Sequence, residues 1–60
     1  MNKILQTPAS FVGEFKTFGQ DGVAYEVIEA INSSTVMIRV VETGETLVYA
    51  VQTCLTDPQA

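Results

Sequence analysis

Apolar residues are most concentrated over residues 35–51, where two apolar segments flank a polar turn, and this pattern predicts a β-hairpin. Residues 35–41 and 46–51 are rich in β-branched side chains, which suit a pleated and half-buried surface. Between these two segments, residues 42–45 (ETGE) supply a turn in which Gly44 is free to adopt a positive φ. Most of the apolar mass of the chain lies in this hairpin or next to it.

The register of the hairpin can be predicted from parity. A loop with an even number of residues pairs Val40 with Leu47, whereas an odd loop pairs Val40 with Thr46 and mixes the apolar and polar sets. Because a slip of one residue moves the whole core set of a strand to the solvent side, the even loop is favoured. It also places Ile38 opposite Tyr49. One face then carries Val36, Ile38, Val40, Leu47, Tyr49 and Val51, and the other carries Met37, Arg39, Val41, Thr46, Val48 and Ala50.

Residues 8–18 carry signals for both a helix and a strand. Thr7 resembles an N-cap and Pro8 a first helical residue. The three phenylalanines that follow recur at i, i+4 and i+7, which is helical spacing. Gly13 disfavours a helix interior, and in a strand it would mark a bulge or a bend. We favour a strand over residues 11–18 and leave the helix open.

The middle of the chain predicts one further strand at residues 23–31. A glycine-rich turn at residues 18–22 precedes it, and a short polar turn at residues 32–34 links it to the hairpin. Strict alternation puts Tyr25, Val27 and Ile31 on one face, interrupted by Glu29, and Glu26, Ile28 and Ala30 on the other.

The C-terminal residues predict one helical turn and a tail. Val51, Cys54 and Leu55 have the spacing i, i+3 and i+4, which suits a turn that packs its apolar side onto the end of the sheet. Asp57 precedes a proline and therefore avoids the helical region, which ends the turn. Residues 58–60 are expected to form a frayed tail.

Together these elements predict a mainly β fold, a four-stranded antiparallel meander followed by a short C-terminal helical turn. Strong twist would curl such a sheet into a small, SH3-like, partly open barrel. Residues 1–60 form a single domain, in which residues 1–10 and 57–60 are expected to be less ordered. The predicted strands cover about residues 11–18, 23–31, 35–42 and 45–51.

Length and composition point to self-association. A chain of 60 residues buries only about 60% of the surface that its unfolded form exposes, so its core is marginal. Small scaffolds usually need disulfides, a metal or oligomerisation. Cys54 is the only cysteine and there is no histidine, which excludes an internal disulfide and, in practice, a Cys/His metal site. Self-association is the common route that remains.

Charge narrows the classes of partner. The net charge is −4, with Lys3, Lys16 and Arg39 as the only basic side chains. Contacts to nucleic-acid phosphates or to anionic membrane surfaces need a basic patch, so both are disfavoured. The N-terminal residues lack the apolar core of a signal peptide, and the lone cysteine agrees with a reducing compartment. We therefore expect a cytoplasmic protein.

The residues offer little for catalysis. Without histidine, neither a Cys-His pair nor a Ser-His-Asp triad can be built. Cys54 is interpreted as a buried structural thiol, and Tyr25 and Tyr49 as aromatics at the edge of the core whose hydroxyls reach solvent. We expect no enzyme, and no catalytic, cofactor-binding or metal-binding residue.

Arg39 is the single charge inside an apolar strand. It can form an ion pair with Glu26 or Glu29 of the neighbouring strand, or it can anchor a partner, since arginine is enriched at interface hot spots. The intramolecular pair is the favoured interpretation.

Three segments of the chain carry a family resemblance. They are FG-x-x-G-x-x-YEV at residues 18–27, IRV-x-ETGE-x-L-x-Y at residues 38–49 and L-x-DP at residues 55–58. Over residues 12–60 the chain resembles a family of very short, uncharacterised bacterial proteins. The resemblance implies a bacterial cytoplasmic origin and supports the strand at residues 12–18. It brings no known activity, although small proteins of this kind often lie in mobile or toxin–antitoxin neighbourhoods.

The sequence thus predicts a non-enzymatic protein-interaction module. We expect it to form a homo-oligomer or to bind another protein, an antitoxin-like role included, and to bind neither a cofactor nor a membrane. The alternative is a small nucleic-acid-binding barrel, which the acidic charge disfavours. The candidate interaction surface consists of Met37, Arg39, Val48 and Tyr49.

Overall fold

The computed structural model describes residues 8–60 of the chain. The expected N-cap at Thr7, and most of the N-terminal stretch that we expect to be less ordered, lie outside these residues. The described part begins with a 3₁₀ helix and continues with four strands and one α-helix. The 3₁₀ helix is Pro8–Phe11, the strands are β1 (Phe15–Thr17), β2 (Ala24–Asn32), β3 (Thr35–Val40) and β4 (Thr46–Ala50), and the helix is α1 (Val51–Thr56).

The four strands form one antiparallel sheet in the order β1-β2-β3-β4, which is a meander. Every connection joins neighbouring strands, as expected for short links between antiparallel strands. The predicted mainly β meander with a short helix after its last strand is therefore confirmed. The sheet does not close on itself, because β1 and β4 lie at opposite edges.

The hairpin of β3 and β4 confirms the even loop but not the predicted pairs. Ile38 pairs with Leu47 and Val36 with Tyr49, two residues away from the predicted partners. A shift of two residues leaves each side chain on its predicted face. The turn explains the shift, because Gly44 has a φ of 79° and donates from its N–H to the carbonyl oxygen of Val40 at 2.7 Å. That closure needs four loop residues rather than two.

Strand β2 departs from the strict alternation that its sequence predicts. Its register against β3 shifts between Val27 and Glu29, and again between Ala30 and Asn32. Each shift is a bulge, in which an extra residue on one strand reverses the faces beyond it. Glu29 therefore pairs with the outward Met37, and Ala30 takes the core-facing position opposite Val36. The prediction that Ile31 shares a face with Tyr25 and Val27 is wrong, since these two residues are fully buried while Ile31, beyond the first bulge, is 43% exposed.

Residues 8–18 contain both of the predicted structures in succession. The 3₁₀ helix ends at Phe11, and β1 begins only at Phe15, so the predicted strand starts four residues too early. Gly13, with a φ of 96°, lies between them. Its N–H donates to the carbonyl oxygen of Val27 at 2.8 Å, and the N–H of Val27 donates to the carbonyl oxygen of Glu14 at 3.0 Å. Two residues thus oppose one, which is the predicted bulge at Gly13.

One face of the sheet carries the core, and the 3₁₀ helix and α1 supply the rest. Phe18 and Tyr49 pack against it while remaining partly buried. Helix α1 contributes Val51 and Cys54, as predicted, but Leu55 is half exposed. The buried apolar residues are Phe11, Tyr25, Val27, Val36, Ile38, Val51 and Cys54.

Residues 58–60 run along the free side of β1. The N–H of Thr17 donates to the carbonyl oxygen of Pro58 at 3.0 Å, and the N–H of Ala60 donates to that of Phe15 at 2.9 Å. Lys16 and Gln59 form an antiparallel bridge between these two bonds. This pairing differs from the frayed tail that the sequence predicts. It covers the edge of β1, whose backbone groups would otherwise lack protein partners.

Candidate functional site

The carboxylate of Asp57 lies where four parts of the chain meet. Its Oδ2 atom accepts hydrogen bonds from the hydroxyls of Tyr25 and Tyr49, each at 2.7 Å. Its Oδ1 atom accepts one from the N–H of Gly19 at 3.2 Å. These contacts tie the C-terminal tail to β2, to β4 and to the turn after β1. We call Lys16, Phe18, Tyr25, Tyr49 and Asp57 the Asp57 cluster.

Three aromatic rings position the two hydroxyls. The ring of Phe18 lies 4.5 Å from that of Tyr25 and 5.5 Å from that of Tyr49, the second contact being edge to face. The two tyrosine rings are 5.2 Å apart and also meet edge to face. Tilted and edge-to-face contacts of this kind are favourable for aromatic pairs and restrict ring orientation. The prediction that the tyrosine hydroxyls reach solvent is wrong for Tyr25, which is fully buried, whereas Tyr49 is partly buried; both hydroxyls donate to the carboxylate of Asp57.

Lys16 supplies the positive charge of the cluster. Its side chain is only 5% exposed, and its Nζ atom donates to the backbone carbonyl oxygen of Asp57 at 3.1 Å. Lysine is almost never fully buried without a partner. Here it faces the core side of β1, opposite Tyr25. The ammonium group of Lys16 therefore contacts the C-terminal tail inside the protein and is shielded from solvent.

The electrostatics of the cluster favour neutral tyrosines and an ionised aspartate. Burial, reinforced by the hydrogen bond to Asp57, raises the pKa of Tyr25 well above its ordinary value and raises the pKa of Tyr49 to about 12. Burial alone would raise the pKa of Asp57 as well. The hydrogen bonds from Tyr25, Tyr49 and Gly19, together with the charge of Lys16, outweigh it and hold the pKa of Asp57 below its ordinary value.

The hydrogen bonds of the Asp57 cluster hold the C-terminal tail against the sheet. Both oxygens of Asp57 accept hydrogen bonds, and both tyrosine hydroxyls donate to Oδ2. Cys54 is fully buried with a free thiol, as predicted for a structural cysteine. No pocket opens beside the cluster in residues 8–60, and no group of three potential metal ligands occurs among those residues.

The face of the sheet opposite the core is a second candidate region. Two rows of paired residues cross it, and the first joins Phe15, Glu26, Arg39 and Thr46. The second row joins Glu29, Met37 and Val48. We call these seven residues the outer face.

The outer face contains three of the four residues of the predicted interaction surface. Met37 is half buried beside Val48, which is 59% exposed, and Arg39 is exposed. Arg39 forms the predicted ion pair, with its Nη2 atom 2.7 Å from Oε1 of Glu26. Tyr49 does not belong to this surface, because alternation along β4 turns it toward the core and into the Asp57 cluster.

Strand β4 forms the far edge of the sheet. Val40 donates to the carbonyl oxygen of Glu45, and Val51 donates to that of Ser34, so the odd-numbered residues between them direct their backbone groups toward β3. Thr46 and Val48 then direct their N–H and C=O groups away from the sheet. Within residues 8–60 no segment pairs with that side of β4. We call this side of Thr46–Ala50 the β4 edge.

Sequence reasoning missed both the Asp57 cluster and the β4 edge. The members of the cluster are spread from Lys16 to Asp57, and nothing local marks them as neighbours. A weak signal was available in the number of large polar groups, since two tyrosines and a lysine near apolar positions need buried partners. For the β4 edge, the available signal was that residues 46–51, in the last strand of the predicted meander, contain no charged residue.

Comparison with known protein families assigns the chain to one of them. The family model of DUF5397, a family of unknown function, matches residues 3–60, so the chain belongs to that family. The resemblance to an uncharacterised family of short proteins is thereby confirmed. None of the curated proteins compared with the chain matches it in sequence. Within residues 8–60, no helix has the length and apolarity needed to cross a membrane.

Proposed function

We propose that this member of the DUF5397 family is a non-enzymatic protein-interaction module that binds through the β4 edge and the adjoining outer face. The observation that carries the proposal is an edge strand that contains no charged residue and whose outward backbone groups meet no partner within residues 8–60. Native proteins usually blunt such edges with lysine, proline, a bulge or a covering segment. Strand β4, with the sequence TLVYA, has none of these residues.

The exposed side chains next to the edge support the same role. Val48 lies on the β4 edge with 59% of its surface exposed, and Met37 is its partner on β3. Arg39 lies two residues further along β3, on the same face as Met37, and is half exposed even while paired with Glu26. An apolar centre with an arginine at its border is a composition typical of protein interfaces.

The positions of the basic residues weaken the alternative of nucleic-acid binding. Lys16 is buried beside Asp57, and Arg39 is paired with Glu26. Neither cation is therefore available as a phosphate contact without breaking an internal interaction, and the net charge is −4. An interaction with protein fits this distribution better.

We also propose that the fold is a small, partly open barrel of the SH3-like kind. Its support is the path of the chain after the meander. Helix α1 follows β4 directly, and residues 58–60 return to pair with β1. A meander, a short helical turn and a last segment on the first strand together curl the sheet around the core on one side.

The experiment compares two valines with similar exposure. Val48→Glu places a charge on the β4 edge, and Val23→Glu places the same charge outside the proposed surface, at a side chain that is 44% exposed. Association is measured by sedimentation velocity of the purified protein and by pull-down from nuclease-treated lysate of its native host. We expect Val48→Glu to weaken association at least tenfold while Val23→Glu binds like the wild type.

Circular dichroism and thermal unfolding of both variants establish that the fold is retained. Equal binding by the two variants would show that the surface lies elsewhere. A wild-type protein that neither self-associates nor retains a stoichiometric partner would refute the proposed function. Binding that nuclease treatment abolishes would favour the nucleic-acid alternative.

A further inference from the structure

We propose that the β4 edge binds a second copy of this chain, through antiparallel pairing of β4 with β4 about a two-fold axis at Val48. This inference rests on the proposed function and names its partner. The two four-stranded sheets would join into one continuous sheet of eight strands across the axis. Interfaces of this kind are isologous, so each copy must present the same self-complementary edge.

The backbone of β4 meets that requirement. Val48 directs both its N–H and its C=O away from β3, and the neighbouring Thr46 does the same. With the axis at Val48, each copy's Val48 exchanges two hydrogen bonds with Val48 of the second copy. Thr46 then lies opposite Ala50 of the second copy. Strand addition at a sheet edge derives its affinity from main-chain hydrogen bonds of this type.

The side chains beside the axis are apolar on both faces of the sheet. On the outer face, the two Val48 side chains would meet, with Met37 of each copy next to them. On the core face, Leu47 is 39% exposed and would lie opposite Tyr49 of the second copy. Cross-strand apolar pairs of this kind contribute roughly 0.2–1 kcal/mol each. Pairing thus covers side chains that the single copy leaves partly exposed.

The charges favour the antiparallel orientation. Each copy has a net charge of −4, and Glu45 immediately precedes β4. Parallel pairing would place the two Glu45 side chains next to each other. Antiparallel pairing about Val48 separates them by six residue positions, about 20 Å at ~3.3 Å per residue. This distance exceeds the screening length of about 8 Å at physiological salt.

The first test uses a proline that the intramolecular sheet should tolerate. The N–H of Val48 points away from β3, so Val48→Pro removes no hydrogen bond of the hairpin. Proline is accepted on edge strands for that reason. In the proposed dimer the same substitution removes two symmetry-related donors at the axis. We expect the dimer dissociation constant, measured by sedimentation equilibrium, to rise at least tenfold while the circular dichroism spectrum is unchanged.

The second test maps the register by cross-linking in oxidised glutathione. Residues directly opposite in a hydrogen-bonded antiparallel pair have Cα atoms about 5.5 Å apart, within the range of a disulfide. Val48→Cys should therefore form a covalent dimer. Thr46→Cys is the matched control, because its symmetry mate lies about 14 Å away along the strand. The wild type provides the background, since Cys54 is fully buried.

The outcomes separate this inference from the proposed function. Cross-linking of Val48→Cys without Thr46→Cys, together with loss of the dimer in Val48→Pro, supports it. A dimer that Val48→Pro leaves unchanged, or that cross-links equally at both positions, overturns the pairing but leaves an interaction module. A monomeric wild type that retains a different protein overturns the second copy as partner. A monomer without any partner overturns both proposals.

Discussion

The two edges of the sheet are treated in opposite ways. The edge at β1 is covered by residues 58–60, which bridge to it through Lys16 and Gln59. The β4 edge, in contrast, meets no other segment of residues 8–60. Within residues 8–60, the chain itself thus pairs with the first edge and leaves the second without a partner strand.

Residues 58–60 need an anchor that holds them against β1, whereas no segment has to be held at the β4 edge within residues 8–60. Fixing the backbone of one residue costs about 1–2 kcal/mol of conformational entropy. The two backbone hydrogen bonds of residues 58–60 alone offset little of this cost. Asp57 adds three hydrogen bonds from Tyr25, Tyr49 and Gly19. Hydrogen bonds to a charged group contribute more than neutral ones, about 1.5–3 kcal/mol each. The Asp57 cluster is therefore what holds the tail against β1.

The largest effect is expected when this anchor is removed. Asp57→Ala abolishes three hydrogen bonds and leaves the hydroxyl of the buried Tyr25 without its partner. We expect the free energy of unfolding to fall by about 3 kcal/mol or more, from a total of about 3–9 kcal/mol for a domain of this size. Urea denaturation measures the loss. Asp21→Ala, in the exposed turn before β2, is the control and should change it by less than about 0.5 kcal/mol.

Amide exchange shows whether that loss arises at the covered edge. In Asp57→Ala the N–H of Thr17, which donates to Pro58, should exchange faster under conditions that keep the protein folded. The N–H groups that join β2 to β3 should keep their protection relative to it. A stability equal to that of the wild type would mean that the tail is held by something other than Asp57.

Acid should weaken the covered edge in a graded way. The pKa of Asp57 is lowered in the folded protein, so its contribution to stability is present above its unfolded pKa of about 3.9. It is lost as the pH falls through the lower folded value. We expect the melting temperature of the wild type to fall below pH 4 more steeply than that of Asp57→Asn. The effect is smaller than that of Asp57→Ala, because a protonated carboxyl group still accepts hydrogen bonds. Parallel curves would contradict this role of the carboxylate.

Raising the pH should also lower the stability, because it ionises the tyrosines of the Asp57 cluster. The pKa of Tyr49 is raised to about 12, so its contribution is present below its ordinary value near 10 and is lost as the pH rises toward 12. We expect the melting temperature to decrease over that interval. In Tyr49→Phe the decrease should be smaller, and the ultraviolet absorbance of tyrosinate reports the titration.

A single hydroxyl offers a finer change in the same cluster. Tyr49→Phe keeps the ring beside Phe18 and Tyr25 but removes one of the two hydrogen bonds to Oδ2 of Asp57. We expect a loss of about 1.5 kcal/mol in the free energy of unfolding. In the Asp57→Ala background the same substitution should cost much less, because its partner is already gone. Full additivity of the two changes would show that the bond contributes nothing.

The smallest effect on stability is expected on the outer face, next to the β4 edge. Arg39 and Glu26 form an ion pair on the outer face, and side chains there are 48% and 24% exposed. Exposed pairs contribute about 0–1 kcal/mol, so Arg39→Gln should barely change the midpoint of urea denaturation. If it instead weakens association, the outer face acts in binding rather than in stability. A loss above 2 kcal/mol would remove the contrast between the two regions.

The hairpin shows how far local sequence determines structure. The β-branched segments and the glycine turn predict β3, β4 and the even loop, and the structure agrees on which side chains share a face. The pairs themselves differ by two residues, because the turn geometry at Gly44 selects a longer loop. Parity depends on neighbours along the chain, whereas loop length depends on how the closing bond with Val40 forms.

The bulges of β2 could not be predicted in this way. Strict alternation placed Glu29 and Ile31 on the core face, and the structure places Ala30 there instead. A bulge is decided by the partner strand, since Val36 and Ile38 of β3 must both meet apolar residues across the ladder. The sequence of β2 alone contains the apolar residues but not the position at which the register shifts.

The sequence by itself determined the mainly β class of fold, which side chains of the hairpin share a face, and the helical turn after β4. These follow from interactions between residues close in the chain. Only the tertiary structure decided where Asp57 and Lys16 lie, that the tail covers β1, and that no segment of residues 8–60 pairs with the β4 edge. The contacts of the tail join residues as far apart in the sequence as Phe15 and Ala60, 45 positions, and only the folded sheet shows which edge the tail meets.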